Sequence, residues 1–171
     1  MPLRWSLLLL AALSGTACTK PAFDGRVYHA GRMSFRVGPI PKEWRKTDAI
    51  EGSMLAFVDE PSGGTVSVYG RCGKDADDVP LTALTQHLLI GFTEREFGEQ
   101  KLVPLDGREA LHTIVHAKLD GVRTGLSLYV LKKDGCVYDL VFAAAPATFS
   151  SGLERFDAFV AGFGTTAEKE P

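Results

Sequence analysis

The sequence predicts an α+β domain: an antiparallel β-sheet of about six to seven strands flanked by two main α-helices. Three observations lead there. The stretch 125–145 alternates apolar and other residues through Leu126, Leu128 and Val130, turns at Asp134-Gly135, and alternates again through Cys136, Tyr138, Leu140 and Phe142, which is a long hairpin. Two other stretches carry apolar residues at spacings of three and four, as helices with one apolar stripe do. Several strands are apolar on both faces, so helices laid against the sheet bury both sets of side chains.

In chain order, residues 33–37 read as a short strand, stopped by Pro39 and Pro41, with Trp44 at the end of the following turn. Segments 53–59 and 65–72 are β-rich and flank Pro61-Ser62-Gly63-Gly64, which predicts a hairpin. Asp78 is the expected N-cap of a helix over 79–96, with Pro80 in its first turn and Leu81, Leu84, Leu88 and Phe92 as its stripe. Residues 102–105 form a short strand containing Pro104. Asp106-Gly107 then turns the chain into the long alternating run 108–119, and Asp120-Gly121 makes the next hairpin turn. Ser151 with Glu154 suggests a capping box, and Phe149, Leu153, Phe156, Val160 and Phe163 mark a helix ending at Gly164. Lys132-Lys133 is expected to keep the tip of the 125–145 hairpin in water.

The ends carry an address. Residues 1–17 combine Arg4, an apolar run over 7–13 and a small-residue approach to Cys18, which is a secretory signal. The run is well short of the roughly 20 residues that span a bilayer. Residues 18–31, with Pro21 and two glycines, suit an anchor and flexible tether, 32–164 the folded domain, and 165–171 a polar tail. The small residues before Cys18 resemble the lipobox of bacterial lipoproteins, with Gly15 where that family usually has Leu. The resemblance implies acylation of Cys18, hence a membrane partner through N-terminal acyl chains. The other reading is an ordinary signal peptide cleaved nearby. Thr19, where an inner-membrane lipoprotein often has Asp, implies the outer membrane, facing the periplasm of a Gram-negative envelope.

Within the domain, FRVGPIPKEW at 35–44, DGREAL at 106–111, YDLVF at 138–142 and FVAGF at 159–163 resemble the PsbP-like domains. These include the DcrB-type bacterial lipoproteins, mycobacterial lipoproteins and the photosystem II extrinsic protein. The resemblance covers about 33–164. It implies a binding and assembly module with an unknown envelope protein partner and no catalytic residues to carry over. Cys72 and Cys136 are additions to that family's pattern.

Charge and chemistry narrow the function classes. Nineteen basic and 21 acidic residues without like-charge blocks give no nucleic-acid footprint. Once Cys18 is set aside, Cys72 and Cys136 are the remaining pair in an oxidising compartment, and a disulfide is expected; there is no C-x-x-C to suggest a redox or metal site. His112 and His116 share a strand face about 13 Å apart, too far to chelate one ion, so His29, His87, His112 and His116 read as separate side chains and no metal or cofactor is expected. Gly125-Leu126-Ser127 lacks the second glycine of a nucleophile elbow, and Asp77-Asp78 and Glu94/Glu96 read as a cap and solvated charges, so no enzyme is expected. Asp139 interrupts an apolar strand and needs a partner, expected among Arg123, Lys118 or a histidine, or else a binding role. Tyr69, Tyr129, Trp44 and Phe97 are core or contact residues. The functional expectation is an accessory or docking module. The alternative is a carrier holding a lipid or other apolar small molecule in a cavity lined by Leu84, Leu88, Phe156 and Val160.

Overall fold

The computed structural model describes residues 21–73 and 78–166. Its frame is a seven-stranded antiparallel sheet in the order β4-β5-β6-β10-β9-β8-β7. The strands are β4 (Trp44–Lys46), β5 (Leu55–Asp59), β6 (Gly64–Cys72), β7 (Phe92–Leu105), β8 (Arg108–Leu119), β9 (Val122–Lys133) and β10 (Cys136–Ala144). A second sheet, in the order β1-β2-β3-β11, joins β1 (Ala22–Phe23), β2 (Val27–His29), β3 (Phe35–Arg36) and β11 (Gly164–Thr165). The helices are α1 (Leu81–Leu88) and α2 (Pro146–Ala161). This is the expected α+β arrangement.

The meander β7 to β10 rests on three Asp-Gly turns. Asp106-Gly107, Asp120-Gly121 and Asp134-Gly135 all have positive φ at both residues. That is the two-residue geometry whose twist matches paired strands, and Asp and Gly tolerate it best. Register then sends alternate residues of β10 to opposite faces. Tyr138, Leu140 and Phe142 meet α2 and the small sheet in the aromatic core with Phe35, Phe156 and Phe159, whereas Val137 packs with Leu84 of α1. The two helices therefore cover opposite faces. A cavity lined jointly by Leu84, Leu88, Phe156 and Val160 is excluded, because the sheet runs between the first pair and the second.

Several boundaries differ from expectation. The helix predicted over 79–96 stops at Leu88. Gly91 at φ +89 reverses the chain, and from Phe92 the segment becomes a 14-residue edge strand bonded to β8 through two register shifts. The strand expected at 102–105 is the end of β7, and Pro104 is tolerated there because an edge strand has one unpaired side. Asp78 does not cap α1; Pro80 holds the N-cap position in extended backbone. Nor does Ser151 cap α2, which begins five residues earlier with Pro146 in its first turn and ends at Ala161. The Ser151 hydroxyl instead donates to the Thr148 carbonyl within the helix.

The termini are also more ordered than expected. Part of the predicted tether forms β1 and β2, and Gly164–Thr165 pairs with β3 in place of starting a tail. Lys132 and Lys133 are not simply solvated: Lys133 Nζ donates to Asp106 Oδ2 at 2.7 Å, and Lys132 Nζ to the Val79 carbonyl at 3.1 Å. Asp106 also accepts from the Thr165 amide at 2.8 Å, tying the small sheet to the β7–β8 turn. Residues 1–20, 74–77 and 167–171, which include the expected signal segment, Cys18 and Asp77, lie outside the described residues.

Candidate functional site

The cysteine pair is the best-defined predicted feature. Cys72 and Cys136 are direct cross-strand neighbours in the β6–β10 register and form a disulfide with Cα atoms 4.0 Å apart. It closes a loop of 64 residues in sequence and joins the end of β6 to the start of β10, with Cys136 buried in the main core.

Asp139 is fully buried on the α1 side of β10, and its partner is Arg71, diagonal to it on β6. The expected partners Arg123, Lys118 and histidine are not used. Burial raises the Asp139 carboxyl and Arg71 only partly offsets this; Oδ1 has no hydrogen-bond partner among the described residues. A second buried acid is Asp59, at the end of β5, which no sequence pattern marks. It accepts from Trp44 Nε1 at 3.1 Å, from Arg155 Nη2 at 2.6 Å, and from the Ser62 hydroxyl, joining β4, β5, the following turn and α2.

The histidines are dispersed. His29 pairs with Asp24 at 3.3 Å, His87 lies in the last turn of α1, and His116 meets Phe149 edge to face. His112 is different. It is buried, stacks on Tyr129 with ring centroids 4.1 Å apart, and shares a 3.0 Å hydrogen bond with Ser127. Ser127 has no exposed surface, so its hydroxyl is not presented to a substrate.

Tyr129 and His112 form part of the wall of an open cleft of about 380 Å³ between α2 and the β7–β8 edge. Its floor is apolar, with Val103, Ile114, Leu153 and Val160. Asp157 of α2 projects its carboxylate into this setting and accepts a 3.1 Å hydrogen bond from the Tyr129 hydroxyl. At the mouth, Glu99 and Lys101 pair at 2.8 Å, each about half exposed. Burial pushes the Tyr129 phenol far up and the His112 imidazole down, so both are neutral near neutral pH. Burial also raises Asp157, against the opposing Tyr129 hydrogen bond.

Two other concavities are simpler. A cleft of about 440 Å³ lies where Arg26 and Arg36 flank the contact of Gly38 with Gly162; no Cβ fits at either glycine. A groove of about 220 Å³ beside α1 is lined by Leu88, Leu126, Leu128 and Val141. The α2 cleft is the candidate site because it joins partly buried ionisable groups to an apolar floor.

Comparison with known proteins adds the fold. No family model and no curated protein matches the chain. Among solved structures it is similar to LpqN, described as involved in cell envelope biogenesis of Mycobacterium tuberculosis, with 14% identity over 80% of this chain and 86% of that one and a TM-score of 0.58. It is also similar to cyanobacterial PsbP (CyanoP) from Synechocystis, with 13% identity over 85% and 95% of the two chains and a TM-score of 0.56. The fold is PsbP-like. A Bacteroides thetaiotaomicron structure matches at 15% identity and a TM-score of 0.57, and the alignment spans 86% of this chain but half the length of that one.

Of the polar groups of the cleft, the sequence points to His112 and Tyr129 but not to Asp157, Glu99 or Lys101. Asp157 carried a legible signal: it falls four residues after Leu153 and three before Val160, a charge inside the apolar stripe. Glu99 and Lys101 carried none, because their strand is polar along most of its length.

Proposed function

We propose that this chain is a lipid-anchored, non-enzymatic binding module of the cell envelope, held at the outer membrane through Cys18 and facing the periplasm. It docks on a larger envelope assembly through the cleft beside α2. The observation that carries the docking role is the cleft itself: partly buried polar groups on an apolar floor, mounted on a rigid sheet and helix and open on one side. The exported address is supported by the signal-like leader, by a disulfide, a bond that forms and persists mainly in oxidising compartments, and by the likeness in fold to a protein of envelope biogenesis.

Two measurements test this. Mass spectrometry of the mature N-terminus is expected to find an acylated Cys18, and an unmodified start elsewhere refutes the anchor. A photo-crosslinking residue at Leu153 or Lys101 is expected to capture a discrete envelope protein in intact cells, while the same residue at Glu51, outside the cleft, is not. Equal capture from both positions refutes docking through the cleft.

A second reading, a carrier of an apolar small molecule, is favoured by the groove beside α1, whose lining is mostly aliphatic. Co-purifying lipid detected by mass spectrometry, and lost in Leu128→Gln, would support it over docking.

A further inference from the structure

We propose that the cleft beside α2 binds a primary ammonium group carried on an apolar stem, with Asp157 as its counter-ion. This rests on the reading of the cleft as the working surface of a binding module, and it names what that surface recognises.

Charge comes first. Asp157 is partly buried, and none of the ion pairs among the described residues includes it. It accepts a hydrogen bond from a neutral phenol, and Lys101, ion-paired with Glu99, attracts it only at longer range, so its negative charge is oriented but has no ion-pair partner among the described residues. Glu99 and Lys101 cancel one another at the mouth, and His112 and Tyr129 are neutral. The cleft therefore carries one net negative charge, placed beside a wall of stacked rings. A carboxylate removed from water without a cation is costly, and a cation delivered to it forms a charge-assisted hydrogen bond.

Shape supplies the rest of the specificity. Half-buried Val103, Ile114 and Leu153 offer aliphatic surface in the same cleft as the carboxylate. A ligand that is cationic throughout wastes that surface, and one that is wholly apolar leaves Asp157 stranded. An ammonium on an alkyl stem of a few carbons matches both. A lysine side chain of a protein partner and a free alkylamine present this same chemistry.

The test is a titration of the full-length mature protein, followed by amide NMR, with three probes of one size: butylammonium, butanol and butanoate. Butylammonium is expected to shift amides near Asp157 and Val103 and to bind about tenfold more tightly than butanol, with butanoate weakest. Asp157→Asn is expected to bring butylammonium down to the butanol level, whereas Tyr129→Phe, which removes only the orienting hydroxyl, is expected to retain most of the preference. An unchanged melting temperature establishes that Asp157→Asn is folded. Hexylammonium and acetyl-lysine methylamide separate the two sources: a steep gain with stem length indicates a free amphipathic amine, and tight binding of the lysine probe indicates a protein side chain. Equal binding of butylammonium and butanol, tightest binding of butanoate, or an Asp157→Asn variant that keeps the preference overturns the proposal. If crosslinks at Leu153 still capture a partner in that event, the docking role survives and only the ammonium specificity is lost.

Discussion

Replacing Arg155 with leucine should show how far this domain depends on one buried carboxylate. Asp59 has no solvent exposure, and Arg155, whose side chain is 28% exposed, donates to it from Nε at 3.1 Å and Nη2 at 2.6 Å. Burial pushes the Asp59 carboxyl up, but Arg155, Ser62 and Trp44 together outweigh it and hold the group below its ordinary value. Removing the guanidinium leaves the anion with two neutral donors, and stranding a buried charge in this way costs about 3–5 kcal/mol. Because Arg155 is partly hydrated, the lower end is expected, which for a domain of this length lowers Tm by roughly 6–12 °C.

Urea unfolding of Arg155→Leu, Asp59→Asn and the double variant measures the coupling. The double variant should lose less than the sum of the single losses, by about 1–3 kcal/mol, because removing the guanidinium no longer strands a charge once residue 59 is neutral. The pH dependence has a fixed sign. Asp59 is depressed in the folded state, so its stabilisation is complete above the ordinary carboxylate range and disappears as pH falls through the folded value. The gap between wild type and Arg155→Leu should therefore close in acid. Additive losses, or a gap that widens on acidification, would refute the assignment.

Three further outcomes are expected. Reduction of Cys72–Cys136, which closes a 64-residue span, should cost about 2–4 kcal/mol and lower Tm by roughly 5–15 °C without unfolding the domain; two reactive thiols besides Cys18 in the unfolded, unreduced protein would refute the bond. Asp139→Asn should match or exceed wild-type stability at neutral pH. The folded carboxyl is raised, so its cost is absent in acid and appears as pH climbs through the folded value; a clear loss of stability measured by urea at about pH 7 would show that the Arg71 pair outweighs burial. Gly152→Ala should destabilise by about 1–3 kcal/mol, because its Cβ would press on buried Phe142 and lie 2.9 Å from Asp59 Oδ2. Helix propensity predicts the reverse, a gain of about 1 kcal/mol, so the sign of the thermal shift decides between packing and propensity.

What could be read without coordinates divides along a physical line. The meander was legible because Asp-Gly turns act locally and the runs between them repeat every second residue. The disulfide was legible because, with Cys18 assigned to the leader, two cysteines were left for each other. The stretch after Leu88 was not. Phe92 falls four residues after Leu88 and so continued the helical stripe, while Thr93 to Lys101 lie on an edge strand whose side chains are mostly exposed and show no periodicity. Such a strand is specified by its neighbour's backbone and not by its own side chains. That misassignment also hid the candidate site. With Glu99, Lys101 and Val103 placed on no common surface, Asp157 read as one more polar residue of a helix. Once β7 is paired to β8, the register sets Lys101 opposite His112 and Val103 opposite Ala110, and the cleft wall exists. Glu99, Lys101, His112 and Tyr129 come from the successive strands β7, β8 and β9, but Asp157 comes from α2, so its meeting with them follows from the packing of the helix on the sheet, which no local pattern encodes.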